Sequence, residues 1–273
     1  MPFHELTVPE QGAVPVLVEV PHAGLAIPEV VRDEIRAPKD ALLRDADIYV
    51  DKLYASAPAR GATMLVARTS RYVVDLNRAP DDVDVETVPD HPAPRGVQPR
   101  GVVWRLTTDG RPVLARPLTH AQFRRRIESF HAPYHQALRE QLTRLRGRFG
   151  HAVLLAAHSM PSVGRSGHED PGGRRADVVP GTQGRTTAAA EVIDLVDAHF
   201  RAEGLTVRHD DPYRGGWTTA RYGRPRDGWH AVQVELNRAL YVHEPTGEPR
   251  SGDFERLQRI CDALVRKLGE LAL

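Results

Sequence analysis

Two short apolar segments, each followed by a histidine, constrain the fold of this chain most strongly. Residues 16–20 are Val-Leu-Val-Glu-Val, and residues 151–157 are His-Ala-Val-Leu-Leu-Ala-Ala. Nearly continuous apolar strands are typical of a sheet that is covered on both faces. Pro21 and His22 follow the first segment, and His158-Ser-Met-Pro follows the second. Ligands bind beyond the carboxyl ends of strands in open α/β sheets, so both histidines are candidate site residues.

Helical patterns separate these strands along the chain. Apolar residues recur at spacings of three and four up to Phe149, which predicts a long helix with Thr119 as its N-cap and a kink at Pro133. Shorter patterns predict other helices over residues 38–57, 187–202 and from 251 onward. Further strands are predicted over residues 61–68, 72–78, 205–209 and 230–241.

This alternation of strands and helices predicts an α/β fold. We expect a single domain over residues 1–273, with a mainly parallel or mixed central sheet flanked by helices. Residues 79–117 are rich in Pro, Asp and Gly, and a hairpin is expected near residues 102–106. Excursions of this length inside a domain are usually functional covers or disordered segments.

The composition argues against several classes of protein. Lys and Arg together number 37 and Asp and Glu 36, so no overall charge attracts nucleic acid or an anionic membrane. The single cysteine, Cys261, excludes an internal disulfide and a cysteine-rich zinc site. The first residues do not form a secretory signal pattern, and no apolar run approaches transmembrane length. A soluble cytoplasmic protein without nucleic-acid or membrane partners is therefore expected.

Polar residues cluster at the ends of two predicted strands. Asp75, Asn77 and Arg78 close one of them, and burying these groups unpaired would be costly. They therefore either pair with each other or hold a polar ligand, and the planar arginine group suits a carboxylate. Glu235 follows an apolar stretch, where dry surroundings raise a carboxyl pKa towards that of a general base. The alternative for Glu235 is a buried ion pair with Arg238 or Arg78.

Two other pairs allow more than one interpretation. Asp47 and Asp51 lie one helical turn apart, so they either form a solvated acidic edge or supply one inward-facing ligand. His131 and His135 have a spacing that can bind zinc, but they lack the adjacent Glu of the metalloprotease helix. Orientation of a substrate or packing at the helix kink is the preferred interpretation of the histidine pair.

Together these residues resemble the N-formylglutamate amidohydrolase family, which is related in fold to the zinc carboxypeptidases and aspartoacylases. The resemblance runs from about Val16 to Tyr241. It implies metal-dependent hydrolysis of N-formyl-L-glutamate to formate and L-glutamate, often within histidine breakdown. The segments that carry it are residues 20–24, Asp47 with Asp51, 70–78, Tyr134-His135, His158-Ser-Met-Pro161, Gly181 with Gly184, 212–216 and 233–241.

The resemblance also implies one Zn²⁺, or another divalent metal, per chain. His22 and His158 are similar to the two histidine ligands. Zinc carboxypeptidases take a Glu ligand three residues after the first histidine, but Leu25 stands at that position here. The carboxylate ligand must then come from elsewhere, and Asp47 is preferred over Glu19 and Asp51.

By the same resemblance, Glu235 is the catalytic glutamate and Arg71 polarises the scissile carbonyl. Asn77 and Arg78 are similar to the pair that binds the α-carboxylate of the substrate. His135 and Gly216 are further candidate substrate-binding residues. The family often has an acidic residue two positions before the second histidine, whereas this chain has Ala156. A hydrogen-bonding partner of the metal ligands is therefore expected to be missing.

Two alternative functions stay open at this point. The ligand set also suits a hydrolase of another N-acyl amino acid or of a small peptide. A metal- or carboxylate-binding protein without catalysis is the second alternative, which Ala156 favours weakly and Glu235 opposes. The near-neutral charge argues against a nucleic-acid-binding module.

Overall fold

A central six-stranded sheet organises the chain in the computed structural model, which describes residues 3–273. The strands lie in the order β1-β3-β2-β4-β6-β5. The four central strands run parallel to one another, whereas the outer strands β1 and β5 are antiparallel to their neighbours. The strand bounds are β1 His4–Thr7, β2 Val16–Val20, β3 Thr63–Ala67, β4 Ala152–Met160, β5 Val178–Gly181 and β6 Trp229–Asn237. A separate hairpin joins β7 Val242–His243 and β8 Glu248–Pro249.

Eight α-helices accompany the strands within residues 3–273. They are α1 Glu29–Arg32, α2 Lys39–Asp45, α3 Val50–Leu53, α4 His120–Arg126, α5 Ala132–Phe149, α6 Ala190–Ala202, α7 Trp217–Tyr222 and α8 Asp253–Gly269. Short 3₁₀ helices span Ala57–Arg60, Pro225–Asp227 and Arg238–Leu240. None of the helices in the described part of the chain combines the length and apolar character that crossing a membrane requires.

The central sheet is covered on both faces, as the apolar strands predict. Val16, Val18 and Val20 pack on one face in a cluster that includes residues of α6 and α8. Leu17 points to the other face, where its cluster includes residues of α4 and α5. All nine residues of β4 are buried. The expected α/β fold with a mixed central sheet is confirmed, and Met1 and Pro2 of the predicted domain lie outside the described residues.

Two of the predicted strands are wrong. Residues 72–78 form turns, because the buried Arg126 guanidinium donates to the carbonyl oxygens of Tyr72 and Val73 at 3.3 and 2.9 Å. Those carbonyl groups are thus satisfied by a side chain and not by a strand. Residues 205–209 pair with the sheet only through a bridge between Val207 and Val178.

Strands β1 and β5 are absent from the predictions, since both are short outer strands with mixed composition. In β5 the sequence Val-Val-Pro-Gly has a proline, which is tolerated only where a strand needs no further ladder partner. The second predicted apolar strand continues past residue 157, so His158 lies within β4 and not beyond its end.

The predicted helix over residues 38–57 is broken into α2 and α3. Arg238 donates to the carbonyl oxygens of Arg44 and Ala46 at 2.7 and 2.8 Å. In a continuing helix these oxygens would instead accept hydrogen bonds from the next turn. Ala46 is extended and Tyr49 adopts a left-handed conformation with φ 65°. The break turns Asp47 towards the sheet.

The long predicted helix is present as α4 and α5 with a π-helical stretch, Ile127–His131, between them. Thr119 is its N-cap, as predicted, and Thr119 and Gln122 exchange the two hydrogen bonds of a capping box. Pro133 follows the π-helical stretch and has no N–H to donate, so the regular helical pattern is interrupted there. Near residues 102–106 the structure has isolated bridges instead of a regular hairpin.

Candidate metal and active site

A cavity of about 720 Å³ opens beyond the carboxyl ends of the parallel strands. Strands β2, β4 and β6 lead into it, and the long excursion over residues 79–117 and the loop over residues 161–170 supply part of its wall. This is the place where open α/β sheets bind ligands. The predicted site residues in its wall are His22, Asp47, Arg71, Asn77, Arg78, His158, Gly216 and Glu235.

His22, Asp47 and His158 converge at the base of the cavity. One potential ligand atom from each residue lies within 4.8 Å of the others, and all three side chains are buried. Asp47 Oδ2 is 3.0 Å from His158 Nδ1 and 3.5 Å from His22 Nδ1. The backbone N–H of Asp47 donates to the carbonyl oxygen of His22 at 3.0 Å, which joins the two loops. Two imidazoles and one carboxylate form a set of donors that suits zinc.

The hydrogen bonding of His22 gives an independent reason to place a cation in this cluster. Its Nε2–H donates to Asp75 Oδ1 at 2.8 Å, so the lone pair of Nδ1 faces Asp47. Nδ1 is buried and has no hydrogen-bond partner in the described part of the chain. A lone pair that faces a carboxylate is unfavourable unless a proton or a metal cation lies between them. The residues present therefore fit a divalent metal, and Asp75 occupies the place of the carboxylate that commonly orients a metal-binding histidine.

The charges around Asp47 keep it ionised. Burial opposes ionisation, but the hydrogen-bonding contact with His158 and the neighbouring His22 imidazole outweigh that effect and lower the pKa of Asp47. Burial and Arg71 both disfavour the protonated form of His22, yet the carboxylates of Asp75 and Asp47 raise its pKa. The cluster thus holds an anionic carboxylate beside groups that take up positive charge.

Glu235 lies on β6 next to His158 on β4, because the two residues are register partners. Burial raises the pKa of Glu235 to about 7, and the negative charge of Asp47 adds to the effect of burial, whereas His158 opposes it. Its Oε1 accepts a hydrogen bond from Gln233 Nε2 at 2.9 Å. Within residues 3–273 Glu235 has no arginine partner, so the predicted ion pair with Arg238 or Arg78 is not formed. Glu235 can accept and release a proton near neutral pH.

Asn77 connects the wall of the cavity to β6 and α7. Its Nδ2 donates to Gln233 Oε1 at 3.1 Å, and its Oδ1 accepts from the N–H and the hydroxyl of Thr218 at 3.0 and 2.8 Å. Gly216 packs directly against it, because a Cβ on Gly216 would lie 2.3 Å from Asn77 Nδ2. Gly216 therefore has to be glycine for Asn77 to keep this position.

Arg71 and Arg78 differ in how strongly the protein holds them. Arg71 Nη2 donates to Asp75 Oδ2 at 2.8 Å, and its guanidinium lies 4.4 Å from the centre of the Trp104 ring. Arg78 lies nearer the opening, where its side chain is 43% exposed and, among residues 3–273, only Asp82 pairs with it, at 3.5 Å. The weak pairing leaves most of the Arg78 guanidinium available to a ligand.

His135 does not line the cavity, which departs from its predicted role in substrate binding. Its Nε2–H donates to the carbonyl oxygen of Leu76 at 2.9 Å, and His131 Nε2–H donates to that of Arg78 at 3.0 Å. The two rings lie 4.3 Å apart. Both histidines hold the 76–78 backbone in place and so position Asn77 and Arg78.

The two alternative carboxylate ligands lie elsewhere. Asp51 binds Arg68 at 3.2 Å and is not a member of the metal-like cluster. Glu19 is fully buried within the sheet, also outside that cluster. Ala156 lies beside Glu19 on one side and Gln233 on the other. Position 156 thus lacks the acidic residue that the family often has, but the neighbouring strand carries a carboxyl group, that of Glu19, beside it.

Three residues have roles in the site that the sequence did not predict. Asp75 orients His22 and Arg71, Gln233 binds Glu235 and Asn77, and Arg238 holds the break that places Asp47. The sequence indicated that Asp75 needs a partner, because a polar residue closes an apolar stretch there, but it did not indicate which partner. Gln233 and Arg238 act through tertiary contacts that no local pattern encodes.

Comparison with known proteins agrees with this arrangement. The family model described as N-formylglutamate amidohydrolase matches residues 14–242. An N-formylglutamate deformylase of Pseudomonas aeruginosa is 33% identical over 271 residues, covering 97% of this chain and 94% of the relative. One of Pseudomonas putida is 33% identical over 237 residues, covering 86% and 84%.

A solved structure agrees with these sequence matches. The crystal structure of N-formylglutamate amidohydrolase from Ralstonia eutropha JMP134 superposes with a TM-score of 0.88 at 34% identity, and the match covers 99% of this chain and 98% of that one. A gene product of Agrobacterium tumefaciens shares the fold, with a TM-score of 0.72 at 20% identity. The chain belongs to the N-formylglutamate amidohydrolase family.

Proposed function

We propose that this protein is a zinc-dependent amidohydrolase that cleaves N-formyl-L-glutamate to formate and L-glutamate. The observation that supports this most directly is the buried cluster of His22, Asp47 and His158 beside Glu235. All four residues lie within the part of the chain that the family model matches. The curated relatives at 33% identity are named N-formylglutamate deformylases. A cytoplasmic location, expected from the sequence pattern, and a role in histidine breakdown, implied by the resemblance, stay predictions.

In this proposal His22, His158 and Asp47 hold the metal. When bound, Zn²⁺ would lower the pKa of a water molecule and polarise the formyl carbonyl group. Asp75 fixes the His22 ring so that Nδ1 faces the cluster. His158 Nδ1 lies 3.0 Å from Asp47 Oδ2, and Asn77 Nδ2 packs 3.4 Å from the other ring nitrogen, Nε2. The ligands are thus held in place before the substrate enters.

Glu235 moves the proton in this scheme. Its raised pKa allows the carboxylate to accept a proton from the attacking water and to deliver it to the nitrogen of the leaving amino acid. Gln233 holds the carboxylate by its hydrogen bond of 2.9 Å. Arg71, fixed by Asp75 and Trp104, donates to the negative charge that develops on the formyl oxygen.

Arg78 binds the α-carboxylate of the substrate in this proposal. Within the described residues its guanidinium is paired only with Asp82, at 3.5 Å, and it is partly exposed to the cavity, so a carboxylate can replace water there. His131 and His135 hold the backbone that carries it, and Gly216 leaves room for Asn77 beside the bound amino acid.

The decisive experiment compares wild type with Glu235→Gln, both loaded with zinc, on N-formyl-L-glutamate. We expect release of formate by the wild type and a decrease in kcat of about 10²–10⁴-fold in the variant, with unchanged metal content. Turnover that survives the substitution in metal-loaded enzyme would contradict the role of Glu235. Absence of turnover in zinc-loaded wild type would contradict the proposed activity.

A hydrolase of a different N-acyl amino acid is the second candidate. The cavity of about 720 Å³ is larger than a formyl group and one amino acid require, so the volume alone does not exclude a larger acyl group. N-acetyl-L-glutamate and N-formyl-L-methionine in the same assay separate this candidate from the first one. A higher kcat/KM for either compound would favour it.

A further inference from the structure

Arg100 is a cavity-lining arginine for which the mechanism above has no role. It belongs to the long excursion over residues 79–117 and lies in the wall of the same cavity as His22 and Glu235. No carboxylate from residues 3–273 lies within 4.0 Å of its guanidinium. Its Nη2 donates to one neutral acceptor, the carbonyl oxygen of Gly167. Burying half of a guanidinium without a nearby anion has an unfavourable desolvation energy, which a ligand anion would offset.

Most other arginines in this wall have a carboxylate partner in the protein. Their partners within 4.0 Å are Asp109 for Arg44, Asp45 for Arg165, Asp75 for Arg71, Asp82 for Arg78, Asp81 for Arg95, and Asp47 for Arg238. Arg214 resembles Arg100 in having no such partner among the described residues, but Arg214 is exposed at the rim. Glu169, the rim carboxylate without an arginine partner, is exposed as well.

The Arg100 guanidinium is held in place without being neutralised. Gly167, which accepts its hydrogen bond, donates its own N–H to the carbonyl oxygen of Thr108 at 3.0 Å. A Cβ on Gly167 would lie 2.9 Å from Arg100 Nη1 and 2.6 Å from the Thr108 oxygen, so the three groups are packed closely. The two loops therefore fix where the guanidinium lies, and an arginine fixed in advance loses little entropy when it binds an anion.

Arg100 also lies within the field of the arginines that the mechanism uses. Burial lowers its pKa, and the positive charges of Arg78 and Arg71 lower it further, whereas Asp45 opposes them. Arg100, Arg78 and Arg71 thus concentrate positive charge on one side of the cavity. A substrate with two carboxylates would be attracted to such a site more strongly than one with a single carboxylate.

We propose that Arg100 binds the side-chain carboxylate of the substrate and thereby selects N-formylglutamate over N-formyl amino acids with neutral side chains. The proposal rests on the proposed function, in which Arg78 takes the α-carboxylate. It gives the excursion over residues 79–117 a role, because this segment supplies both Arg78's neighbour Asp82 and the second cationic subsite.

The test compares N-formyl-L-glutamate with N-formyl-L-glutamine, which has the same shape and the same α-carboxylate but a neutral side chain. Arg100→Gln should lower kcat/KM for N-formyl-L-glutamate about 10- to 100-fold, mainly through KM, because a charge-assisted pair is lost. For N-formyl-L-glutamine the change should stay within about threefold. Arg100→Lys should recover part of the loss, since it keeps the charge without the planar group.

Product inhibition provides a second measurement that does not depend on turnover of the neutral compound. The inhibition constant for L-glutamate should rise about 10- to 100-fold in Arg100→Gln, and that for L-glutamine should not change. The matched control is Arg116→Gln, which removes the same charge from an exposed position of the same excursion outside the cavity. It should leave both substrates and both inhibitors unaffected.

Each outcome decides the question. Equal losses on both substrates in Arg100→Gln would show that Arg100 acts on the α-carboxylate or on folding, and would overturn the assignment. Unchanged selectivity in Arg100→Gln, with loss in Arg214→Gln, would move the subsite to the rim. Wild type that is inactive on every N-formyl amino acid would refute the proposed function itself, whereas active wild type with unselective Arg100→Gln effects refutes only this inference.

Discussion

Glu19 and Ala156 are register partners on the adjacent parallel strands β2 and β4. Glu19 is fully buried, and neither of its carboxylate oxygens has a hydrogen-bond partner within residues 3–273. Burial raises its pKa to about 8, which outweighs the favourable effects of nearby Tyr134 and Thr218. The protein therefore carries a neutral carboxylic acid beside the position where the family often has an acidic residue.

Glu19→Gln should stabilise the protein at alkaline pH. A pKa that is raised on folding means that the folded state keeps a proton that the unfolded chain loses, so stability falls as pH rises from about 4.5 to about 8. Glutamine has the same shape and no proton to lose. We expect the Tm of Glu19→Gln to exceed that of wild type more at pH 8 than at pH 5, measured by calorimetry.

A matched control for this experiment is Glu29→Gln, which removes a carboxyl from an exposed position of α1. Its Tm difference from wild type should be small at both pH values. A Glu19→Gln variant that is no more stable at pH 8 than at pH 5, relative to wild type, would show that Glu19 is ionised in the fold.

The sequence was sufficient for those parts of the fold that depend on local pattern. Strands β2 and β4 were predictable because almost every residue in them is apolar and buried. Residues 72–78 have a similarly apolar start, yet the Arg126 guanidinium and the backbone of Val102 take their hydrogen bonds, so no strand forms. Such a competition between a distant side chain and a strand ladder leaves no trace in the local sequence.

The candidate site was predictable to a similar degree. His22 and His158 were candidates because each follows an apolar segment. Asp47 was one of two possible inward-facing carboxylates, and it was preferred because Leu25 cannot be a ligand. The structure brings these three residues together, but the break at Ala46 that allows it depends on Arg238, almost two hundred residues away. His135 was predicted to bind substrate but lies outside the cavity wall. A histidine four residues from another one is equally suited to packing and to ligand binding, so its spacing could not decide between the two.

The metal ligands can be tested separately from catalysis. His22→Ala, His158→Ala and Asp47→Ala should each lower the zinc content of protein that has been incubated with zinc and then dialysed. Each variant removes one of the three converging atoms, and a site with two protein ligands binds zinc weakly. Metal content by atomic absorption is the measurement, and circular dichroism checks the fold.

Two substitutions of carboxylates outside the cluster serve as controls for the metal experiment. Asp51→Asn and Glu19→Gln should retain wild-type zinc content, since neither residue is in the cluster. Loss of zinc in Asp51→Asn, or full retention in Asp47→Ala, would assign the carboxylate ligand differently.

Asp75→Asn tests the residue that orients a metal ligand. It should weaken zinc affinity about 10- to 100-fold, because Asp75 holds the His22 ring.

The rate of hydrolysis should fall in acid because Glu235 has to be ionised to accept a proton. Burial raises its pKa to about 7, and the charge of a bound divalent cation would lower it again. We therefore expect the acid limb of kcat/KM for the zinc-loaded enzyme at or below pH 7. The measurement is a profile from pH 5 to 9 with N-formyl-L-glutamate.

Gln233→Met provides the internal comparison for this profile. It removes the hydrogen bond of 2.9 Å that Gln233 donates to Glu235, which favours the ionised carboxylate. Loss of a hydrogen bond to a charged group is worth about 1.5 kcal/mol, so the acid limb should move up by about one pH unit. An acid limb at the same pH in both proteins would mean that another group controls the profile.

His135 should make the stability of the protein depend on pH in the opposite direction from Glu19. Burial, together with the positive charge of His131, lowers the pKa of His135 well below its ordinary value of 6.5, whereas its bond to Leu76 opposes them. The folded state therefore lacks a proton that the unfolded chain binds, and stability is lost as pH falls below about 6.5. His135→Gln should reduce this loss, by at most about 1.4 kcal/mol per pH unit.

The same substitution tests whether His135 positions the 76–78 backbone. The Nε2–H of His135 satisfies the buried carbonyl oxygen of Leu76, so His135→Ala should cost about 1–3 kcal/mol and raise KM, while His135→Gln, which can still donate, should cost less. His243→Gln removes an exposed imidazole and should change neither quantity. Denaturant unfolding at pH 8 and pH 5 gives the stability, and steady-state kinetics gives KM. A His135→Ala variant with wild-type KM and stability would show that Leu76 is held by other contacts.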